Sequence, residues 1–396
     1  MTKRLNALPL YNRARFSSYW SKAMAYQLNL NWPEFLATYW QKKPVVLKRA
    51  FANFIDPITP DELAGLAMEA EVDSRLVSFK HGQWQASNGP FENFDNLGET
   101  GWSLLAQAVN HWHAPSAELV RPFRALPDWR LDDLMISFSV PGGGVGPHID
   151  QYDVFIIQGM GSRRWRVGDK LPMRQFCPHP ALLHVDPFTP IIDEDLEPGD
   201  ILYIPPGFPH DGVTHETALN YSVGFRGPNG RDLVSSFADY ALENDLGGEH
   251  YSDPDLTCRE HPGRVEAYEL DRLREMMIAM INQPADFKQW FGRFITTPRH
   301  ELDIAPAEPP YETQEIVEAL KAGEVLTRLN GLRVLNVGET IFINSERLDT
   351  VDLKAADALC RYTFISQQEL GEAVDNPVFM AELTELVNQG YWYFDE

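Results

Sequence analysis

The sequence predicts a mainly β core with α-helical additions, in which the β core is an antiparallel barrel or jelly roll. Short strand candidates separated by Gly/Pro turns follow one another between residues 133 and 226, which is typical of such a barrel rather than of a βαβ fold. From residue 231 the apolar residues recur with helical spacing instead. Beyond a proline-rich linker at residues 305–310, helix candidates accompany a small hairpin, an arrangement that resembles a winged helix.

The elements ahead of the barrel strands are predicted from caps and turn residues. Thr59, Pro60 and Glu62 combine an N-cap, a proline at the first helical position and a capping-box glutamate, so a helix should run to about residue 71. His81 and Gly82 separate the two strands of a predicted hairpin. The elements expected before residue 133 are that helix, a helix at 32–40, a strand at 43–48, hairpin strands at 75–79 and 83–86, and a helix at 102–112.

The barrel itself is predicted from strands of four to eight residues with turn residues between them. One shorter candidate is the Ile191-Ile192 pair. The strands are expected at residues 133–140, 154–158, 163–167, 191–192, 201–204 and 220–226.

The helical region after residue 230 carries more apolar surface than one barrel edge can cover. Leu270, Leu273, Met277 and Ile281 form one stripe at helical spacing, and stripes of the same kind precede and follow it. A homodimer interface and an intramolecular helical layer would both use such stripes, and the sequence leaves both interpretations open.

The end of the chain is predicted to hold a helix at 313–320 and then a two-stranded unit turning at Asn330-Gly331, with strands at 325–329 and 332–337 and a further strand at 340–344. Two helices should follow, one opening at Ser366 with Glu369 as its capping-box partner and one at Asn376. Because this region is acidic, we do not expect it to bind DNA and interpret it as structural or protein-contacting.

Length and composition indicate a folded protein of two or three domains. The chain has 396 residues, of which 44% are hydrophobic and 12% aromatic, so it can bury a sizeable core. No apolar run is long enough to span a bilayer, and no secretory signal is visible. Cys177, Cys258 and Cys360 lie far apart, as expected for free thiols of a cytoplasmic protein.

The net charge of −23 restricts the partners of this chain. Such a surface repels phosphate backbones, which disfavours nucleic acid, and it attracts basic proteins. Solubility alone explains the charge equally well.

A metal-binding pattern lies at the centre of the predicted barrel. Residues two apart in a strand share a face, so His148 and Asp150 should point the same way. An imidazole and a carboxylate are two of the three ligands in the 2-His-1-carboxylate site of non-haem Fe(II). The third proposed ligand is His210, which follows a short apolar strand and a rigid Pro-Pro-Gly turn.

The His-x-Asp pattern alone is weak evidence for a metal. With eleven histidines, about one such match is expected by chance. A second match, His184-Val185-Asp186, lies between Pro180 and Pro187, and we interpret it as a surface loop without a metal role. The specific signal is the whole arrangement of a glycine-rich entry, His148 and Asp150, an apolar strand, a basic strand and a turn that delivers His210.

This arrangement resembles that of the JmjC-type (cupin) ribosomal oxygenases, and among them the bacterial enzymes that hydroxylate an arginine of a large-subunit ribosomal protein. The similarity extends from about residue 24 to residue 396 and is strongest at residues 134–158, 165–168 and 197–210. It implies a double-stranded β-helix (the jelly-roll of JmjC and cupin proteins), a helical dimerisation segment and a winged-helix-like C-terminal domain. The implied division is 24–230, 231–304 and 311–396, with residues 1–23 expected to be a disordered extension or to precede a start at Met24.

The resemblance also implies the cosubstrates and further site residues. Fe(II) would be held by His148, Asp150 and His210, with 2-oxoglutarate and O2 as cosubstrates. Arg163 stands where the family has the basic residue for the distal carboxylate, and we favour it over Arg164. Strand alternation puts Arg163 and Trp165 on one face and Arg164 on the other, so this assignment depends on the strand register. The remaining candidates for cosubstrate hydrogen bonds are Ser137, Ser139 and Asn220, for which satisfying the buried core is an equal alternative.

The implied activity is 2-oxoglutarate-dependent hydroxylation of an arginine in a large-subunit ribosomal protein by a cytoplasmic homodimer. Tyr152, Asp153 and Asp211 neighbour the metal ligands in sequence and are candidates for holding the substrate guanidinium. The alternatives are hydroxylation of a histidine in a ribosomal protein, another metal-dependent cupin enzyme, demethylation of the histone type, and an inactive barrel that binds proteins. Retention of all three ligands disfavours the inactive barrel, and no chromatin-reading module is visible.

Overall fold

The structure is a computed structural model that describes residues 26–350 and 352–394. The predicted extension at residues 1–23 lies outside these residues. The chain divides into two compact units, the first with the described residues up to Gly227, Pro298–Leu332 and those from Tyr362 onward, and the second with Pro228–Thr297 and Arg333–Arg361. The units interleave in sequence, so the predicted domain boundaries stay predictions.

The first unit is built on a large antiparallel sheet. In the described part of the chain this sheet has eight strands, in the order β1-β12-β7-β14-β5-β4-β2-β3. The strands are β1 (Val45–Leu47), β2 (Ser74–Lys80), β3 (Gln83–Asn88), β4 (Trp102–Ala106), β5 (Leu131–Ser139), β7 (Asp153–Gln158), β12 (Ile201–Ile204) and β14 (Ala218–Phe225).

A smaller antiparallel sheet faces the large one and carries the candidate metal ligands. Its described strands lie in the order β11-β8-β13-β6. They are β6 (His148–Ile149), β8 (Arg163–Gly168), β11 (Pro190–Leu196) and β13 (Pro209–Thr214), and a separate hairpin is formed by β9 (Gln175–His179) and β10 (Leu182–Val185).

The two sheets pack as the β-sandwich of a jelly roll, as the sequence predicts. Every residue of β7 is buried, because this strand is covered on both faces. Val154 and Ile156 share one apolar cluster with Trp165 of the smaller sheet, whereas Phe155 and Ile157 belong to the main core on the other face. The continuous apolar run of β7 therefore reflects a strand in the middle of the domain.

Helices cover the outer face of the large sheet. They are α1 (Trp32–Thr38), α2 (Pro60–Leu66), α3 (Val109–Trp112) and α4 (Ala114–Ala117). The predicted capping box of Thr59 and Glu62 is present, although its helix ends at Leu66 rather than near residue 71. The predicted helix at 102–112 is wrong: its first half is β4, which lies between β2 and β5, so tertiary pairing of a buried apolar run overrides its helical spacing.

The second unit contains three long helices, α5 (Gly230–Glu243), α6 (Ala267–Ile281) and α7 (Pro284–Thr296). It also contains a three-stranded sheet and one further helix, formed by β16 (Val334–Asn336), β17 (Ile341–Ile343), β18 (Glu346–Leu348) and α9 (Leu353–Arg361). Among its described residues, α6 buries none, and Leu270, Leu273, Met277 and Ile281 are all exposed.

The C-terminal part of the first unit contains α8 (Thr313–Ala322), α10 (Gln367–Leu370), α11 (Pro377–Asn388) and a small sheet of β15 (Leu326–Arg328), β19 (Phe364–Ile365) and β20 (Trp392–Phe394). The predicted hairpin around Asn330-Gly331 is wrong, because β15 pairs with β19 and β20 while β16 pairs with β17. The predicted caps at Ser366 and Asn376 are confirmed. No helix in the described residues is long and apolar enough to cross a membrane.

Candidate metal centre and cosubstrate pocket

The smaller sheet brings His148, Asp150 and His210 together. His148 in β6 and His210 in β13 are directly opposed Cα partners, and Asp150 follows β6. One potential ligand atom from each of the three residues lies within 4.8 Å of the others. The Pro-Pro-Gly turn ahead of β13 is tied to the same place, because Gly207 donates its N–H to the Asp150 carbonyl at 2.8 Å.

Backbone carbonyls orient both imidazoles. His148 Nδ1 lies 2.9 Å from the Gly146 carbonyl oxygen, and His210 Nδ1 lies 3.1 Å from that of Phe208. A carbonyl only accepts, so each Nδ1 must carry a proton and each Nε2 presents a lone pair. The two Nε2 atoms lie 3.8 and 3.6 Å from the same Asp150 oxygen, Oδ2.

His210 is held in the form that binds metal. It is 2% exposed, and burial, followed by the neighbouring His148, lowers its pKa to about 4. At neutral pH the imidazole is therefore uncharged. Two imidazoles and one carboxylate form a ligand set that suits Fe(II) and leaves coordination positions for other ligands.

The glycines that precede β6 are required because other parts of the chain approach their Cα atoms closely. Gly146 has a φ of +82°, and a Cβ there would lie 2.3 Å from Cε1 of His184. A Cβ on Gly144 would lie 2.5 Å from the Gly212 carbonyl oxygen. Side chains at these positions would push His148 away from β13.

A cavity of about 310 Å³ opens beside the three residues. Both sheets and the β9–β10 hairpin contribute to its walls, so it lies between the layers of the jelly roll. Its polar lining includes the three candidate ligands together with Arg75, Ser103, Gln107, Ser137, Tyr152, Arg163, His184, Asn220 and Ser222.

Arg163 is a buried cation in this cavity. It is 3% exposed; Nη1 donates to Asn220 Oδ1 at 3.1 Å and to Ser137 Oγ at 3.4 Å, and Nη2 donates to the Gly212 carbonyl at 3.0 Å. These acceptors are all uncharged, and no carboxylate of the described residues lies within ion-pair distance of this guanidinium. Burial lowers the pKa of Arg163 to about 10, so it remains charged at neutral pH. A buried cation without a protein counter-ion fits a bound carboxylate.

The inward orientation of Arg163 confirms the predicted register of β8. The strand alternates between buried and exposed residues from Arg163 to Arg166. Arg164 points outward, with a side chain 51% exposed, and donates to both carboxylate oxygens of Asp193, at 2.7 and 2.9 Å. Arg164 is therefore paired with Asp193 at the surface and does not contribute to the cavity.

The other predicted cosubstrate residues separate into two groups. Ser137 of β5 and Asn220 of β14 are Cα partners that line the cavity, and both contact Arg163. Ser139 is not brought to Arg163: its Oγ lies 2.7 Å from Oγ of Ser103, which lines the cavity.

The interpretation of His184 as part of a surface loop is wrong. His184 lies in β10, is 2% exposed, and is in the cavity wall. Its Nε2 lies 2.8 Å from the Val145 carbonyl oxygen, and its ring stands edge-on to Trp84 at 4.8 Å between centroids. Because Pro178 and Pro180 interrupt the hydrophobic alternation, the sequence gives no strand signal for this hairpin.

Of the three candidates for holding a guanidinium, only Tyr152 lines the cavity. Asp153 is fully buried in β7 and accepts hydrogen bonds from Tyr203 Oη at 2.6 Å, Gln41 at 2.9 Å and Arg130 at 3.1 Å. Asp211 is buried and paired with Arg166. A position close to a candidate metal ligand in sequence therefore does not bring Asp153 or Asp211 into the cavity.

Comparisons with known proteins agree with this architecture. The JmjC domain model matches residues 118–233, and the ROXA-like winged-helix model matches residues 279–393. The chain is 66% identical to the ribosomal protein uL16 3-hydroxylase of Escherichia coli K12, covering 94% of this chain and 100% of that protein. It is 30% identical to a probable ribosomal oxygenase of Haemophilus influenzae, over 90% of this chain and 89% of that protein.

Solved structures give the same result. The structure of the E. coli ribosomal oxygenase in complex with cobalt and 2-oxoglutarate superposes with a TM-score of 0.88 at 64% identity, covering 94% of this chain and all of that chain. The complex of that enzyme with cobalt and succinic acid superposes equally well. An identity of this level over nearly the whole chain, with the jelly roll and the His-Asp-His cluster in place, shows that this chain belongs to the JmjC-domain ribosomal oxygenases.

Proposed function

We propose that this chain is an Fe(II)- and 2-oxoglutarate-dependent oxygenase that hydroxylates an arginine side chain of the large-subunit ribosomal protein uL16. The observation that carries the proposal is one cavity that joins a His148-Asp150-His210 cluster to the buried, uncompensated charge of Arg163. The E. coli relative, named as a uL16 3-hydroxylase, supports the substrate.

His148, Asp150 and His210 would hold the ferrous ion, and their carbonyl-oriented imidazoles fix where it sits. When bound, the ion supplies activation of O2, coupled to decarboxylation of 2-oxoglutarate, so that one oxygen atom enters succinate and the other enters the substrate. Arg163 would pair with the distal carboxylate of 2-oxoglutarate, and Ser137, whose Oγ lies 3.4 Å from Arg163 Nη1, would donate to the same carboxylate. We propose that Ser139 does not contact the cosubstrate and that its hydrogen bond with Ser103 supports the cavity wall.

The charge around the cavity suits a cationic side chain. Burial, then Asp150 and Asp133, raise the pKa of Tyr152 well above its ordinary value. Tyr152 therefore stays uncharged, and its ring in the cavity wall offers an aromatic face on which a guanidinium can stack. At a longer range, the net charge of −23 steers a basic ribosomal protein towards the enzyme. We infer that the substrate is free uL16 or an assembly intermediate, because ribosomal RNA would repel this surface.

The oligomeric state belongs to the same proposal. Leu270, Leu273, Met277 and Ile281 form an apolar stripe along α6 that is 45–64% exposed in the single chain. A stripe of this kind is costly to leave in water, and a second copy of the chain would bury it. We therefore propose a homodimer that works in the cytoplasm and does not bind DNA.

The proposal is tested by coupled turnover. The enzyme is incubated with Fe(II), 2-oxoglutarate and recombinant uL16, and succinate is measured against the same reaction with an unrelated protein of equal positive charge. Succinate should form in proportion to uL16 and only at the background rate with the control protein. Equal succinate in both reactions would contradict the substrate assignment, and no binding of 2-oxoglutarate at all would contradict the enzyme class.

A further inference from the structure

A buried amide outside the cavity lining contacts Asn220, which in turn contacts Arg163. Gln158, the last residue of β7, is fully buried. Its Nε2 is surrounded by the carbonyl oxygens of Gly159, Met160, Gly161 and Leu219, at 3.2–3.4 Å. Carbonyl oxygens only accept hydrogen bonds, so the NH2 end of the amide must occupy this position. The orientation of Gln158 is therefore fixed by the backbone.

This orientation fixes that of Asn220 in turn. Gln158 Oε1 lies 2.6 Å from Asn220 Nδ2 and can only accept, so the NH2 group of Asn220 must face Gln158. Asn220 Oδ1 then faces Arg163 Nη1 at 3.1 Å. With the Asn220 amide inverted, two acceptors would meet at Gln158 and two donors at Arg163, and both hydrogen bonds would be lost.

We propose that Gln158 is a positioning residue for cosubstrate binding, acting through Asn220 on Arg163. The relay holds the guanidinium with uncharged acceptors, so its charge remains available for the carboxylate of 2-oxoglutarate. The inference rests on the proposed function, since it assumes that Arg163 binds this carboxylate.

The test compares Gln158→Met with a control variant. Gln158→Met keeps the side-chain volume but removes both the donor and the acceptor of the amide, and the control weakens the turn at residues 159–161 by another route. Asp56 is that control: its Oδ1 accepts from Met160 N–H at 3.1 Å and from Tyr221 Oη at 2.7 Å, beside Gln158 and Asn220 without contacting either amide. Titration calorimetry with Co(II) in place of iron measures the dissociation constants of metal and 2-oxoglutarate for wild type, Gln158→Met and Asp56→Asn.

Gln158→Met should weaken 2-oxoglutarate binding about tenfold or more and leave Co(II) binding within about twofold of wild type. Asp56→Asn should leave both constants within about twofold. Equal weakening by the two variants would show that Gln158 acts only through the fold, and unchanged 2-oxoglutarate binding in Gln158→Met would overturn the inference. Wild type that binds no 2-oxoglutarate would instead contradict the proposed function.

A second variant keeps the test decisive if Gln158→Met does not fold. Asn220→Asp keeps the Gln158 side chain and its contacts with the turn, but it removes the donor to Gln158 Oε1 and places a carboxylate against Arg163, which neutralises the charge that would bind the cosubstrate. It should weaken 2-oxoglutarate binding at least as much as Gln158→Met does. Binding of wild-type strength in Asn220→Asp would also overturn the inference.

Discussion

His148 and His210 are direct cross-strand partners of β6 and β13, with ring centroids 4.2 Å apart. Both present Nε2 towards the same oxygen of Asp150. The cluster is therefore positioned by strand register and backbone carbonyls.

Loss of one member should abolish metal binding. His148→Ala leaves two metal ligands, so affinity for Fe(II) or Co(II) should fall by more than about 100-fold and turnover should cease. This loss is larger than the loss of a residue that only hydrogen-bonds to a ligand would cause. His215→Ala is the matched control, since His215 is exposed and lies outside the cavity lining. Metal titration under anaerobic conditions makes the comparison. Wild-type affinity in His148→Ala would show that the ligand set is wrong.

Arg163 and Arg164 provide a test of cosubstrate binding within one strand. Arg163→Met removes a buried charge-assisted pair and should cost on the order of 2–5 kcal/mol of 2-oxoglutarate binding. Arg164→Met removes only a surface contact with Asp193 and should change the apparent KM for 2-oxoglutarate little. Metal should stay bound in both. If Arg164→Met lost the cosubstrate and Arg163→Met kept it, the anchor would be misassigned.

His184 should position the metal-binding loop. Its hydrogen bond to Val145 and its contact with Gly146 hold the carbonyl that orients His148. His184→Ala should therefore weaken metal binding about tenfold, the effect expected of a supporting partner. His184→Gln retains an N–H donor at the same reach and should recover most of the affinity. Unchanged metal affinity in His184→Ala would contradict this role.

The exposed stripe of α6 predicts the behaviour of the protein in solution. Wild type should scatter light as a dimer at micromolar concentration, and Met277→Glu should give monomer or aggregate, because a charge replaces a side chain 64% exposed in the single chain. Glu275→Ala, on the other side of the helix, should leave the dimer intact. A monomeric wild type would count against the interface.

The metal cluster could be predicted from the sequence because its determinants are local. His148 and Asp150 are two residues apart, and a rigid turn delivers His210, so strand period and turn chemistry place all three. The same two-residue period places Arg163 and Arg164 on opposite faces of β8. The jelly roll could be predicted for the same reason, because short strands and the Gly/Pro turns between them are also local features of the sequence.

The residues that the sequence did not identify act through long-range contacts. His184 lies on a hairpin interrupted by prolines, and Gln158 reaches Asn220 across 62 positions of the chain. β4 appeared helical because its pairing with β2 and β5 is not a local property. Asp153 appeared to be a site residue only because it neighbours Asp150, whereas the start of β7 turns it into the core beside Arg130.

Peptide mass spectrometry of uL16 shows whether this enzyme transfers one oxygen atom to an arginine of that protein. After incubation with enzyme, Fe(II) and 2-oxoglutarate, fragmentation should place a single added oxygen on the side chain of one arginine. The increment should vanish with His148→Ala. An added oxygen on a histidine would refute the arginine assignment while preserving the cofactor chemistry, and unmodified uL16 in the presence of metal-loaded wild type would contradict the account.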